Sequence, residues 1–313
     1  MKAAIVRKAG EAPVYDTFDE PTAGAGEYRV SVTAAALSPL ARARASGAHY
    51  SSSGQFPFVA GVDGVGTLDD GRRVYFVLPR APFGAMAERT VVPAGQCTVL
   101  PDGLDTDMAA AIANPGMSSW AALTRRADLK PGETVLINGA TGASGQLAVR
   151  IARHLGASKV IATGRNAEKL SALGADATLT LTDDPDELER RFTSQFADGV
   201  DVVVDYLWGT SAERMLIAAA KSSPDGVPVR FVQVGNASGG DISLPGAVLR
   251  ASAIELKGSG IGSVSLEGLV DSVAGVFGAA ASANLAVPIR KVPLAEIGRA
   301  WALSDAERTV FRI

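Results

Sequence analysis

The sequence holds one cysteine, Cys97, and two histidines, His49 and His154. A single thiol excludes an intramolecular disulfide and every zinc site built on several thiolates. The two imidazoles are far apart in sequence, which argues against a metal enzyme and leaves only carboxylate magnesium sites open. An excess of one charge is missing too: 30 Lys and Arg stand against 33 Asp and Glu, with the signs interspersed. No basic stripe recommends nucleic acid, and no polybasic helix recommends a membrane surface. Long apolar runs are also absent. Lys2, Arg7 and Lys8 interrupt the start before a signal-peptide core is built, and no segment reaches the ~18 uncharged apolar residues of a spanning helix. The expectation is a cytoplasmic protein whose partner is a small molecule.

What is present is apolar content. Of 313 residues 47% are hydrophobic and 20% charged, enough core for about two domains of ~150 residues. Up to about residue 110 the chain reads as short β segments between Gly- and Pro-rich turns: KAAIV, EYRVSVTAAAL with alternating Tyr28, Val30 and Val32, RRVYFVL and ERTVVP. A helix is expected at NPGMSSWAAL, followed by the turn dipeptide Pro131-Gly132. Six apolar strands then alternate with helices: TVLIN, KVIATG, TLTL, VDVVVD, VRFVQVG and IELKG. One intervening helix opens at Asp184-Pro185 and carries Leu188, Phe192 and Phe196 on one face. Continuous Val/Ile strands between amphipathic helices predict a doubly wound parallel sheet, a Rossmann-type α/β fold. The tail offers a helix LEGLVDSVAGVFGAAA, a strand near VPIRKV, a helix LAEIGRAWAL and a last strand TVFRI.

The first strand of that series runs into Gly139-Ala140-Thr141-Gly142-Ala143-Ser144-Gly145 and then into a helix with Leu147, Ile151 and Leu155 on one face. Free N–H groups at a helix N-terminus and the positive end of its dipole accept a pyrophosphate, provided no Cβ stands in the way. Against G-x-G-x-x-G the stretch reads A-x-G-x-x-G. Ala140 takes the first place, Gly142 the place of phosphate approach, and Gly145 the helix–strand contact. A glycine turn needed only for packing is the bland alternative, but the strand–turn–helix setting favours a dinucleotide. The next strand ends Ala162-Thr163-Gly164-Arg165-Asn166, with no acid for a ribose 2′-hydroxyl and with an arginine for a 2′-phosphate. Lys169 follows on the next helix. NADP(H) is therefore expected over NAD(H).

With these pieces located, the chain resembles the zinc-free quinone oxidoreductase (zeta-crystallin-like) branch of the medium-chain dehydrogenase/reductase superfamily over nearly its full length. The resemblance is carried by MKAAIVRKAG, AALSPLARARASGAHY, a turn at GVDGVGTL, LKPGETVLINGATGASGQLAVRIARHLGA and GVDVVVDYLWG, in this order. It implies a Rossmann domain, residues 114–260, inserted in a GroES-like β-rich catalytic domain made of residues 1–113 and 261–313. It also implies an NADPH-dependent oxidoreductase and a homodimer that pairs sheet edges at IELKG. Zinc members carry a cysteine where this chain has Ser38, a histidine where it has Val62, and a four-cysteine lobe absent here. The chain also departs from the quinone reductases. Ser38 replaces a usual asparagine, Ala41 a usual aspartate and Leu181 a frequent phosphate-binding tyrosine, while Glu307-Arg308-Thr309-Val310 stands where a glycine-lysine pair is usual.

The resemblance places the nicotinamide ring beside Val234-Gly235-Asn236, with Gly258 and Ser259 nearby. It also gives Ser118, matching a threonine at a helix start, a phosphate or ribose to bind. Asn236 as a turn former and Ser118 as a helix cap are equally open from the residues alone. Without a Lewis acid the acceptor must already be electrophilic, which suits quinones first. Tyr50, Ser38 and His49 are the expected side chains facing this acceptor, and no residue stands out as an obligatory general acid. An NADPH-dependent 2-alkenal or enoyl-thioester reductase is the nearest alternative, with Arg42, Arg44, Arg72 and Arg73 as a cationic entrance. An NADPH-binding sensor or nucleic-acid binder with little turnover is the alternative of another class, disfavoured by the near-neutral charge.

Overall fold

Runs of β-branched residues that are apolar at every position have no polar face to show to water, so they form strands only where both faces are covered. The computed structural model describes residues 1–48, 54–304 and 306–313. The chain divides into two compact units, one of residues 1–114, 273–280 and 286–313, the other of residues 115–272 and 281–285.

In the first unit β1 (Lys2–Val6) pairs antiparallel with β2 (Val14–Thr17). The long β3 (Glu27–Ala36) leads into the short helix α1 (Pro39–Ala45), and β4 (Phe58–Val59) pairs with the other side of β1. Then follow β5 (Asp63–Leu68), β6 (Arg73–Val77), β7 (Arg89–Pro93) and β8 (Cys97–Val99). The expected turn at GVDGVGTL is instead the inner strand β5, between β3 and β6. Its glycines mark close approach rather than reversal: a Cβ on Gly66 would lie 2.3 Å from the Ser31 carbonyl oxygen, and one on Gly64 2.9 Å from the Phe76 ring.

The helix expected at NPGMSSWAAL opens earlier. It is α2 (Thr106–Ala121), with Pro115 inside it and a π turn over Ala122–Arg126 beyond its end. Pro115 reads as a boundary in sequence, yet it lies inside α2, and the Ser118 and Ser119 hydroxyls lie 2.9 and 3.0 Å from its carbonyl oxygen.

The second unit holds β9 (Thr134–Asn138), α3 (Ala143–His154), β10 (Lys159–Gly164), α4 (Ala167–Ser171) and β11 (Ala177–Thr180). It continues with α5 (Pro185–Ala197), β12 (Val202–Asp205), α6 (Gly209–Ser222), β13 (Val229–Gln233), α7 (Gly246–Arg250) and β14 (Ile254–Gly258). The six strands form one parallel sheet in the order β11-β10-β9-β12-β13-β14. Asp184 caps α5 by accepting from the N–H groups of Asp186 and Glu187. The stripe Leu188, Phe192 and Phe196 is buried in a core shared with Leu136, Ile161, Met215 and Leu216.

The chain ends with α8 (Leu266–Ala279), β15 (Ile289–Pro293), α9 (Ile297–Ala300) and β16 (Arg308–Arg312). The expected helix over LAEIGRAWAL reduces to a 3-10 turn at Leu294–Glu296 followed by α9. β16 adds antiparallel to β3, so the C-terminus completes the first unit's large sheet. The buried Asp107 carboxylate holds this closure, with Lys291 Nζ and Arg312 Nε each at 2.6 Å.

Candidate active site

In a parallel sheet wound in both directions from β9, the strand order reverses between β9 and β12, and the crevice beyond their C-terminal ends is the place where ligands bind. The turn joining β9 to α3 lies there, and its glycines play different parts. Gly139 has φ +88°, and a Cβ on it would meet the Leu207 side chain at 2.9 Å. A Cβ on Gly145 would lie 2.4 Å from the Gly139 carbonyl oxygen and 2.5 Å from Ala140 Cα, so only glycine lets α3 close onto the turn. Packing accounts for both.

Gly142 is different. As the N-cap of α3 it has φ −79°, which any residue adopts, and the nearest atom to a Cβ there is 3.9 Å away. The fold does not need a glycine at this position, while a group approaching from outside does. Ala143, Ser144 and Gly145 make up the first turn of α3, where N–H groups have no partner within the helix and no acidic side chain opposes an anion.

A buried polar network fixes the turn from below. Asn138 Nδ2 donates to Asp205 Oδ1 at 2.8 Å and to Ser211 Oγ at 3.0 Å, and Thr163 Oγ1 donates to Asn138 Oδ1 at 2.7 Å. The Gly139 N–H donates to Thr163 Oγ1, and those of Leu207 and Trp208 donate to the Asp205 carboxylate. Burial raises the Asp205 pKa, and the bonds from Leu207, Asn138 and Trp208 oppose that rise. The loop after β12 is thus anchored to the ends of β9 and β10. Sequence reasoning missed this network. A polar residue closing each of TVLIN and VDVVVD was its one visible trace.

Arg165 and Lys169 are exposed just beyond β10. Neither side chain makes an ion pair or hydrogen bond among the described residues, and Asn166 caps α4 by accepting from the Lys169 N–H. Gly164 is buried, and a Cβ there would lie 2.9 Å from Thr141 Cγ2. Ser118 is not at a helix start as expected; it lies in the last turns of α2, half-buried, and its hydroxyl donates back to Pro115. Its neighbour Ser119, which sequence reasoning passed over, is fully buried. The Ser119 hydroxyl lies 2.7 Å from Tyr206 Oη and 3.0 Å from the Ser144 carbonyl oxygen, tying the first turn of α3 to the end of β12.

Val234 and Gly235 follow β13, and both N–H groups donate to the Asp205 carbonyl, at 2.8 and 3.1 Å. Asn236 is exposed, and its carbonyl accepts from the Gly239 N–H in a tight turn. Gly258 ends β14, its carbonyl accepting from Arg126 Nε, and the buried Ser259 donates its N–H to Gln233.

In the first unit Ser38 is 1% exposed and caps α1, its Oγ accepting from the Ala41 N–H at 3.0 Å. His49 and Tyr50 lie outside the described residues. Ala41 and Val62 both line a pocket walled by Phe56, Phe58 and Phe83. Burial pushes the Cys97 thiol up to about 11, opposed by Arg72, so the one cysteine is protonated and a poor nucleophile near neutral pH. Among the described residues no three His, Cys, Asp or Glu side chains group as metal ligands.

Residues 143–275 match a family model described as zinc-binding dehydrogenase. The chain is 30% identical over 350 residues to a protein of Emericella nidulans named "Probable NADPH-dependent quinone reductase tdiC", which covers 98% of both chains. The chain belongs to the quinone oxidoreductase-like branch of the medium-chain dehydrogenase/reductase superfamily. It is also 30% identical over 260 residues to a 2-haloacrylate reductase of Burkholderia, covering 74% of this chain and 77% of that protein. The quinone oxidoreductase of Thermus thermophilus, solved alone and with NADPH, superposes with a TM-score of 0.81 at 29% identity and covers 100% of both chains. Membership in this branch gives the β9–α3 turn its place in a shared fold.

Proposed function

We propose that the protein is an NADPH-dependent oxidoreductase that passes a hydride to quinone-type acceptors without a metal ion. One observation carries the reading: Gly142 leaves open space at the N-terminus of α3 that the fold itself does not use. The N–H groups of Ala143, Ser144 and Gly145, with the bare Cα of Gly142 leaving room above them and Ala140 beneath, form the diphosphate cradle. Arg165 and Lys169, without a side-chain partner among the described residues and with no carboxylate on β10, take the 2′-phosphate. Ser118, Val234, Gly235, Asn236, Gly258 and Ser259 hold the nicotinamide half. The named cofactor of the Emericella relative and the NADPH complex of the Thermus protein support the same choice.

Bound NADPH supplies the hydride. The chain's own residues supply position: the network under Gly139 keeps the turn rigid, and the Ser119–Tyr206 pair keeps the first turn of α3 in register with β12. Ser38 and Val62 stand where zinc members carry ligands, and neither side chain binds zinc well. The acceptor must then be electrophilic in itself, with Ser38, His49 and Tyr50 as the side chains proposed to face it. The protein is further proposed to be cytoplasmic; no helix among the described residues is long and apolar enough to cross a membrane. It is proposed to dimerise at β14, which pairs only with β13 among the described residues and exposes Leu256.

NADPH oxidation followed with 1,4-naphthoquinone, crotonyl thioester and 2-chloroacrylate, before and after dialysis against a chelator, tests the reading. Naphthoquinone is expected to be reduced fastest, at a rate the chelator leaves unchanged. Faster reduction of the thioester or the haloacrylate, or loss of rate on chelation, overturns it.

A further inference from the structure

The four arginines that the sequence offers to an anionic substrate separate in the structure. Arg42 donates to the carbonyls of Trp301 and Leu303, at 3.2 and 2.8 Å. Arg72 pairs with Asp70 at 2.7 Å and covers the Tyr28 ring. Arg73 donates to the Leu104 carbonyl and to Thr106 Oγ1. All three serve the first unit's own structure.

Arg44, on α1, is half-buried, and its guanidinium makes no hydrogen bond or ion pair among the described residues. It lines the pocket of Phe56, Phe58, Phe83, Val59 and Val62, and it is the one charged residue among the described lining. The ring walls pack on one another and on a further ring: Phe56 and Phe58 sit 5.4 Å apart between centroids, and Phe83 meets Phe18 edge-on at 6.1 Å. A guanidinium that has lost water without gaining a carboxylate or carbonyl is costly to the free protein, and an anion that enters the pocket recovers the loss. Aromatic walls around one cation fit a flat ring that bears a negative group.

We propose that this pocket is a subsite for an aromatic acceptor carrying an anionic substituent, a carboxylate or sulfonate, with Arg44 as its anchor and the phenylalanines as its walls. Burial lowers the Arg44 pKa from the usual arginine value, as expected of a cation without a counter-charge. The subsite rests on the reductase reading only for what happens to the ligand afterwards, not for binding.

The test uses the full-length protein. Calorimetric titration with 2-naphthoate and with its neutral methyl ester compares the wild type with Arg44→Met and Arg44→Lys. Arg44→Met is expected to weaken 2-naphthoate at least tenfold and the ester less than twofold, while Arg44→Lys retains affinity to within about fivefold. In turnover, Arg44→Met raises KM for 1,2-naphthoquinone-4-sulfonate at least tenfold and leaves KM for 1,4-naphthoquinone unchanged. No binding of 2-naphthoate to the wild type, or equal losses for acid and ester, overturns the subsite. Arg44-dependent binding of 2-naphthoate without reduction of any quinone keeps the subsite and defeats the reductase reading. Quinone reduction indifferent to Arg44 does the reverse.

Discussion

Two single-methyl additions, only three residues apart, are expected to damage the protein in opposite ways. Gly145→Ala puts a Cβ 2.4 Å from the Gly139 carbonyl oxygen and 2.5 Å from Ala140 Cα, both backbone atoms that no rotamer change can move aside. Overpacking of this kind costs about 1–3 kcal/mol. At roughly 2–4 °C per kcal/mol for a domain of 150–250 residues, Tm should fall by several degrees. Gly142→Ala meets nothing closer than 3.9 Å at a φ of −79°. Its cost is confined to the weaker N-cap, under about 1 kcal/mol. The new methyl nevertheless occupies the space assigned to the diphosphate. Losing one or two charge-assisted hydrogen bonds there, at ~1.5–3 kcal/mol each, weakens NADPH tenfold or more. Thermal unfolding with and without NADPH reads both quantities. Gly142→Ala protein that melts like the wild type and is stabilised equally by NADPH would refute the cradle.

Joint replacement of Arg165 and Lys169 by alanine should raise KM for NADPH by roughly tenfold or more and leave KM for NADH almost unchanged; equal effects would remove the 2′-phosphate assignment. Asp63 gives a pH signature. Burial pushes its carboxyl from 3.8 up to about 6, against the lowering influence of Arg308 and of the Tyr75 hydroxyl, 3.2 Å away. The folded state therefore holds this proton more tightly than the unfolded state, and the stability it contributes is complete below about pH 4 and lost as pH rises through 6. Asp63→Asn should gain on the wild type by about 3 kcal/mol between pH 4 and 7 in denaturant titrations, and a constant difference across that range would contradict the assignment. At β14, Leu256→Asp should shift the protein to monomer in sedimentation; an unchanged mass would place any dimer interface elsewhere.

The sheet of the second unit was legible in the sequence because apolar runs and helical periodicity agree there residue by residue. The Leu188, Phe192 and Phe196 stripe behind an Asp184 cap is the clearest instance. The first unit was read less well. β5 passes for a turn because its glycines are there to let β3 and β6 come close, a tertiary demand with no local pattern. α2 passes for a later helix because Pro115 imitates a start, while the Ser118 and Ser119 hydroxyls that donate to its carbonyl sit further along. Of the candidate site, the glycine turn announced itself through spacing and context. The Asn138, Thr163, Asp205 and Ser211 network did not, because its members lie on separate strands and a helix and meet only once the parallel sheet has formed. The distinction among the four arginines was invisible for the same reason: whether a guanidinium is occupied depends on carbonyls hundreds of residues away, as Trp301 and Leu303 are for Arg42.

Calorimetric titration of the full-length protein with NADPH, and in parallel with NADH, bears most directly on the central claim that residues 139–145 receive the diphosphate of a reduced nicotinamide cofactor bearing a 2′-phosphate. The expected result is one NADPH bound per chain, at least tenfold tighter than NADH, and abolished or strongly weakened by Gly142→Ala. No heat of binding with NADPH, or equal affinity for the two cofactors that Gly142→Ala leaves untouched, would contradict it.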